Sequence, residues 1–115
     1  CAMGDGSFGF SVGELETVMR LGLPITFIVF SNAVFGWIKA GQKTGFGKRY
    51  FSVDFTRTDH AAVAAAYGLK TWRVEAPADL EGALKAAIAH DGPTLVDIVA
   101  QPLQDAAAPV SEWVS

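Results

Sequence analysis

The residues with the clearest chemical potential are Asp5, which lies in the run Gly4-Asp5-Gly6-Ser7, and the amide Asn32. Each follows an apolar run, which ends at Met3 in the first case and at Phe30 in the second. A carboxylate oxygen and an amide oxygen are hard ligands of the kind that Mg²⁺ prefers. Because the start of a helix attracts anions, we expect Mg²⁺ to be held here together with a phosphate group.

Asp5 and Asn32 are separated by enough chain for about one helix and one strand. In an open parallel sheet the carboxyl ends of neighbouring strands line one crevice, which is where ligands bind. Without a metal, the Asp5 carboxylate would repel a diphosphate bound beside it. The glycines on either side of Asp5 allow a sharp turn and a close approach of the backbone to a ligand. We therefore expect both side chains to face one crevice.

The elements that must position these side chains begin with the strands. Continuous apolar and β-branched runs are typical of buried parallel strands. They occur at residues 25–30, 71–74 and 94–99, and a shorter one ends at Met3. Helical patterns lie between them, so the sequence predicts an α/β fold with an open parallel sheet flanked by helices.

Three helices are expected. The first begins at a possible capping box of Ser11 and Glu14 and has an apolar face, made of Leu15, Val18, Met19 and Gly22. The second spans residues 59–67, with Asp59 as its N-cap and Gly68 as its stop. The third spans residues 78–89 and has an apolar stripe, made of Leu80, Leu84, Ala87 and Ile88.

Two segments have no clean period. Residues 40–55 are rich in glycine, basic side chains and aromatics, and we interpret them as a mobile loop or lid. The basic side chains of this region are expected to be solvated, namely Lys39, Lys43, Lys48 and Arg49. The tail at residues 101–115 has a structure that the pattern does not predict.

Composition narrows the function classes. The chain has 115 residues, a net charge of −3 and one cysteine, Cys1. The acidic balance argues against nucleic acid as a partner, and the longest apolar run is far shorter than the ~20 residues that span a membrane. A single cysteine forms no internal disulfide, so we expect a cytoplasmic protein and an inert Cys1.

Residues 4–39 resemble the cofactor motif of thiamine-diphosphate-dependent enzymes, in the acetolactate synthase and 2-oxo-acid decarboxylase group. That motif begins with GDG and closes with a pair of asparagines, and here it reads GDGSFGFSVGELETVMRLGLPITFIVFSNAVFGWIK. The likeness continues more weakly through YGLKTWRV and DGPTLVDIV, so it covers nearly all of the chain. The resemblance implies the C-terminal, diphosphate-binding domain of such an enzyme and its thiamine-diphosphate-binding fold.

The resemblance also implies a site. The Mg²⁺ ligands would be the Asp5 and Asn32 side chains and the backbone carbonyl of Val34. The residues around thiamine diphosphate would be Gly4, Asp5, Gly6, Ser7, Asn32, Val34, Phe35 and Gly36. The chain departs from the family pattern at Ser31, where an asparagine is usual, and at Phe35, where a tyrosine is common.

The implied function is a share in an enzyme that decarboxylates or ligates 2-oxo acids such as pyruvate, a lyase or transferase. No catalytic residue is expected in this chain, since the family's catalytic glutamate comes from a pyrimidine-binding domain of the same or another chain. Only three residues precede the GDG turn. We therefore expect residues 1–115 to be an N-terminally truncated partial domain, inactive alone, from a homo-oligomer (dimer or tetramer).

Two alternatives remain open. The run Gly4-x-Gly6-x-x-Gly9 also fits a dinucleotide-binding fingerprint, although the acidic residue expected ~20 positions later is missing. The other alternative is a non-catalytic, stand-alone α/β interaction module.

Other polar and aromatic residues receive structural interpretations. Glu14 is expected to cap a helix rather than to catalyse, and His60 and His90 to be solvated or capping. Trp37 and Phe35 are expected to serve packing or an interface rather than to contact substrate.

Overall fold

The sheet has four parallel strands. A computed structural model describes residues 1–102 of the chain, and the tail prediction beyond Pro102 lies outside the described residues. The strands are β1 (Ala2–Gly4), β2 (Thr26–Ser31), β3 (Lys70–Val74) and β4 (Thr94–Val99), and their order across the sheet is β1-β2-β4-β3. The predicted open parallel sheet is confirmed.

The register places the two predicted ligand-bearing turns side by side. Gly4 at the end of β1 lies opposite Phe30, near the end of β2. In the next strand pair, Ser31 lies opposite Val99. The carboxyl ends of β1, β2 and β4 therefore meet at one edge, where a doubly wound sheet binds its ligands.

Helices cover both faces of the sheet. They are α1 (Asp5–Ser11), α2 (Leu15–Arg20), α3 (Gly36–Gly45), α4 (His60–Tyr67) and α5 (Pro77–Ala89), with a single 3₁₀ turn at Val12–Glu14. One buried cluster joins α1, α2 and α4 to the sheet, through Phe8, Leu15, Val29, Ala61, Ala64, Leu69 and Leu95. A second cluster joins α5 to the opposite face, through Val74, Ala83, Ala87 and Val96.

The second predicted helix is confirmed at both ends. The Asp59 carboxylate accepts a hydrogen bond from the Ala62 N–H at 2.8 Å, so Asp59 is the N-cap of α4. At the other end Gly68 adopts a left-handed conformation with φ of 103°. An L-residue with a side chain rarely adopts this conformation, which explains why the helix stops at a glycine.

Substitution of Gly68 by alanine should lower the free energy of unfolding by about 1–2 kcal/mol. The left-handed backbone disfavours a Cβ, and that Cβ would also lie 3.1 Å from the Met19 Cε. Gly82 is the matched control, because it lies inside α5 with no neighbour within 4 Å of the position of a Cβ. Gly82→Ala should stabilise by up to ~1 kcal/mol in the same urea titration. Equal effects of the two changes would contradict this explanation.

Three sequence predictions about the helices and the loop are wrong. The capping box fails because α1 starts directly after β1 at Asp5, so the chain is already helical at Ser11, whose side chain forms no cap hydrogen bond. The predicted loop at residues 40–55 fails in its first part, because α3 extends to Gly45. Ile88 does not lie on the buried stripe of α5, since it is 70% exposed.

Among the described residues, no helix combines the length and the apolarity needed to cross a membrane.

Candidate functional site

A cavity of about 520 Å³ opens at the carboxyl ends of the strands. All of the predicted cofactor-binding residues line it, namely Gly4, Asp5, Gly6, Ser7, Asn32, Val34, Phe35 and Gly36. Phe30, Trp37, Ile38, Ala100 and Gln101 complete the lining. The fold therefore brings the two predicted ligand-bearing turns to a single crevice.

Asp5 connects the two turns that form this crevice. It is the first residue of α1 and is only 6% exposed. One carboxylate oxygen accepts a hydrogen bond from the Gly6 N–H at 2.9 Å, and the other accepts one from the Ala33 N–H at 2.6 Å. The carboxylate is thus held beside the residue that follows Asn32.

The turn from Asn32 to Val34 has an unusual backbone. The Asn32 amide oxygen accepts a hydrogen bond from the Val34 N–H at 3.2 Å. Ala33 has φ of 58°, a conformation that is rare for residues other than glycine. A second segment of the chain also stabilises this turn, because the Phe55 N–H donates to the Ala33 carbonyl at 2.8 Å.

Gly6 leaves no room for a side chain. A Cβ at this position would lie 2.6 Å from the Phe35 Cε1 and 3.1 Å from the Phe55 Cζ. These two rings contact each other edge to face with centroids 4.4 Å apart, and the Phe10 ring stacks on Phe35 at 6.5 Å. The expected packing role of Phe35 is confirmed.

Gly6→Ala should lower the free energy of unfolding by about 1–3 kcal/mol, the usual cost of overpacking. Gly9 is the control, because it lies on the same helix and a Cβ there would meet nothing within 4 Å. Adding Phe35→Leu to Gly6→Ala should recover part of the loss in chemical denaturation, since the smaller side chain removes the collision. A loss that Phe35→Leu does not reduce would argue against the clash.

Trp37 differs from Phe35. It is 62% exposed and lines the crevice, so packing within the described part of the chain does not account for it. Its expected interface role stays a prediction.

A buried polar network lies next to the crevice, and no sequence pattern predicted it. Its centre is Asp97, which is fully buried in β4. One Asp97 oxygen accepts a hydrogen bond from the Ser31 hydroxyl at 2.5 Å. The other accepts from Arg73 Nη1 at 2.6 Å and from the His60 backbone N–H at 3.1 Å. The available signal was an acidic residue inside the apolar run TLVDIV.

The prediction of a solvated or capping His60 is wrong. Its side chain is only 14% exposed and packs edge to face on Phe8, with ring centroids 5.5 Å apart. Its Nδ1 lies 2.9 Å from the Ser31 hydroxyl. Because that hydroxyl donates its one proton to Asp97, its oxygen accepts from the His60 Nδ1–H. The prediction for His90 is confirmed, since this residue is exposed at the end of α5.

The network includes a permanent positive charge. Partial burial alone would lower the pKa of the Arg73 guanidinium, but the hydrogen bond to Glu75 and the charges of Asp97, Asp59 and Glu75 outweigh it. The pKa of Arg73 therefore lies above its usual value, and this side chain stays charged wherever the protein is folded. Asp97 consequently has a charged partner at every such pH.

The four basic residues that were predicted to be solvated are not all exposed. Lys39 donates to Asp54 at 2.6 Å and lies 5.2 Å from the centre of the Tyr50 ring, with 20% of its side chain exposed. The prediction is thus wrong for Lys39. It is confirmed for the other three residues, which are exposed: Lys43, Lys48 and Arg49. Glu14 is exposed too. It occupies the N-cap position of α2, but its side chain forms no capping hydrogen bond, and its exclusion from catalysis stays a prediction.

A parallel α/β sheet with a crevice at the carboxyl ends of its strands defines a cofactor-binding domain of the doubly wound class. Residues 1–98 match the family described as thiamine pyrophosphate enzyme, C-terminal TPP binding domain. The chain belongs to this family, whose description names thiamine diphosphate as the cofactor. Family membership favours the resemblance over the dinucleotide-binding alternative.

Individual relatives agree with this assignment. The chain is 36% identical over 103 residues to a probable acetolactate synthase large subunit of Methanococcus aeolicus, covering 89% of this chain and 17% of the relative. It is 35% identical over 95 residues to an acetolactate synthase of Bacillus subtilis, covering 83% of this chain and 16% of the relative. The chain thus spans about a sixth of the length of these relatives.

Solved structures give the same fold. A thiamine diphosphate-dependent 4-hydroxybenzoylformate decarboxylase of Rhodococcus jostii RHA1 superposes with a TM-score of 0.81 at 25% identity, covering 87% of this chain and 19% of that one. A benzoylformate decarboxylase of Polynucleobacter necessarius superposes with a TM-score of 0.81 at 27% identity, covering 88% and 19% of the two chains.

Proposed function

We propose that this chain binds the diphosphate of thiamine diphosphate through Mg²⁺, as part of an enzyme that decarboxylates or ligates 2-oxo acids. The observation that carries the proposal is the joint lining of one crevice by Asp5 and Asn32. The hydrogen bond from the Ala33 N–H to Asp5 keeps the two turns together. Two separate crevices would have ruled out a shared ion.

The donor set suits Mg²⁺. Each Asp5 oxygen accepts one N–H, which leaves further lone pairs for a metal. Asn32 offers an amide oxygen and Val34 a backbone carbonyl, both hard ligands. Within residues 1–102 no group of three His, Cys, Asp or Glu could hold a metal, and the proposed ligand set does not depend on such a group. The remaining Mg²⁺ positions would be filled by phosphate oxygens and water.

The first turn of α1 would hold the diphosphate. Gly6 and Ser7 line the crevice there. The Gly6 N–H already donates to Asp5, so Ser7 is the stronger candidate for a direct phosphate contact. Mg²⁺ would offset the repulsion between the diphosphate and the Asp5 carboxylate.

The cofactor, when bound, supplies the carbon nucleophile and the electron sink that 2-oxo-acid chemistry needs. The residues of this chain would hold its phosphorylated end in one place, which favours reaction by positioning. We propose further that a pyrimidine-binding domain, on this or another polypeptide, supplies the proton-transfer groups. A cytoplasmic homo-oligomer, dimer or tetramer, with lyase or transferase activity completes the proposal.

Removal of Mg²⁺ should release the cofactor. The test is equilibrium dialysis of thiamine diphosphate against the complete protein that contains this chain, with Mg²⁺ or with EDTA. We expect retention with Mg²⁺ and a loss of more than about 90% with EDTA, because the diphosphate and Asp5 then repel each other. Equal retention in EDTA would refute the metal assignment. No retention under either condition would favour the non-catalytic interaction module.

A further inference from the structure

We propose that Asp97 and Ser31 form a positioning pair that sets the conformation of the turn from Asn32 to Val34. Neither residue would touch the metal or the cofactor. The inference rests on the proposed function, because the property that the pair controls is the affinity of that turn for Mg²⁺.

Both the side chain and the main chain of Ser31 form hydrogen bonds. It is the last residue of β2 and only 7% of it is exposed. Its hydroxyl donates to Asp97 at 2.5 Å, and its carbonyl accepts from the Ala100 N–H at 3.0 Å. The residue that directly precedes Asn32 is therefore fixed by side chain and main chain alike.

Asp97 is a rigid support for this contact. It is fully buried, and both of its oxygens are engaged, one by Ser31 and the other by Arg73 and the His60 N–H. It is absent from the lining of the large crevice. Its contact with Ser31 connects it to the residue that directly precedes Asn32.

The turn itself needs such support. The positive φ of Ala33 is unfavourable for a residue with a Cβ, and conformations of this kind persist only where the surroundings enforce them. Asp5 holds the Ala33 N–H, and Ser31 anchors the chain two residues before it. Loss of the Ser31 anchor should let Asn32 leave the orientation that a shared ion requires. Substitution of residues that only orient metal ligands commonly lowers metal affinity by ~10–100-fold.

The competing explanation is that the pair only stabilises the fold. The chain offers a matched control in Thr94, which is also fully buried on β4. Its hydroxyl contacts the Thr26 hydroxyl of β2 at 3.0 Å, so it too joins β2 to β4 by side chains. This contact lies at the amino ends of the strands, away from the crevice. If Ser31 only stabilised the fold, removal of either hydroxyl should change the Mg²⁺ affinity to the same extent.

The experiment compares Ser31→Ala, Ser31→Thr and Thr94→Val in the complete protein that contains this chain. For each variant, the Mg²⁺ concentration that gives half-maximal retention of thiamine diphosphate is measured by dialysis. Thermal unfolding without Mg²⁺ reports the loss of stability separately. Ser31→Thr keeps the hydroxyl and tests for rescue.

We expect Ser31→Ala to raise the half-maximal Mg²⁺ concentration by about ten-fold or more, and Ser31→Thr to restore most of the affinity. Thr94→Val should lower the unfolding temperature while changing that concentration by less than about two-fold. An unchanged concentration for Ser31→Ala, or an equal rise for Thr94→Val, would overturn the positioning role and leave the proposed function intact. Absence of Mg²⁺-dependent retention in the unsubstituted protein would overturn both.

Discussion

Asp5→Ala should abolish Mg²⁺-dependent retention of thiamine diphosphate, with an affinity loss of more than about 100-fold. The substitution removes the only charged ligand of the proposed set. It also removes the acceptor of the Ala33 N–H, which now donates to Asp5 at 2.6 Å, so the turn that carries Asn32 loses its link to α1. Asp5→Ala removes one ligand and also frees the turn that carries another. The loss of affinity should therefore exceed the ~10–100-fold loss that follows substitution of residues that only orient ligands.

The measurement is calorimetric titration of the complete protein with thiamine diphosphate at fixed Mg²⁺. Asp91→Ala is the control, because Asp91 is exposed in the turn before β4, at the opposite end of the sheet. Asp5→Asn adds a second test, since it keeps the shape and removes the charge. Retention that survives both Asp5 changes would defeat the metal assignment, whereas retention lost equally in Asp91→Ala would indicate a general defect.

The parallel sheet and its crevice were predictable because both follow from short-range patterns. The apolar run at Thr94–Val99 predicted β4 with correct bounds. The geometry of parallel strands then requires residues at neighbouring carboxyl ends to meet. Asp5 and Asn32 follow such ends, so their shared crevice could be inferred without knowing any side-chain contact.

Helix α3 was missed for a local reason. It contains three glycines, which lower helix propensity by up to ~1 kcal/mol each, namely Gly36, Gly41 and Gly45. Tertiary contacts override that preference, as the burial of Ala40 at 2% exposure indicates.

The false capping box has a related origin. A serine followed by a glutamate three residues later resembles a helix start even when it follows another helix.

The polar network was missed because its contacts are long-range. Ser31 and Asp97 are 66 positions apart in the chain, and Arg73 is 24 positions from Asp97. No periodic pattern connects residues at such separations. The sequence marked Ser31 only as a departure from the family's asparagine. In the structure the small Ser31 hydroxyl lies between Asp97 and the His60 ring, within hydrogen-bonding distance of both.

Asp97→Ala should lower the free energy of unfolding by about 3–5 kcal/mol, the effect expected when one partner of a buried charged network is removed. The change leaves the Ser31 hydroxyl and the His60 N–H without their acceptor in a buried place. It also removes the buried partner of the Arg73 guanidinium. Urea denaturation monitored by circular dichroism gives the free energy directly.

Glu81→Ala is the matched control for this network, because the Lys85–Glu81 ion pair has the same 2.6 Å separation as Arg73–Asp97. The two pairs differ in burial: the side chains of Glu81 and Lys85 are 79% and 75% exposed, whereas Asp97 is fully buried. Water screens the exposed pair, so Glu81→Ala should cost about 0.5 kcal/mol or less. Similar losses for the two substitutions would mean that burial does not set the strength of the Asp97 network. A large loss confined to Asp97→Ala would show that burial makes the Asp97 network a major contributor to the free energy of unfolding.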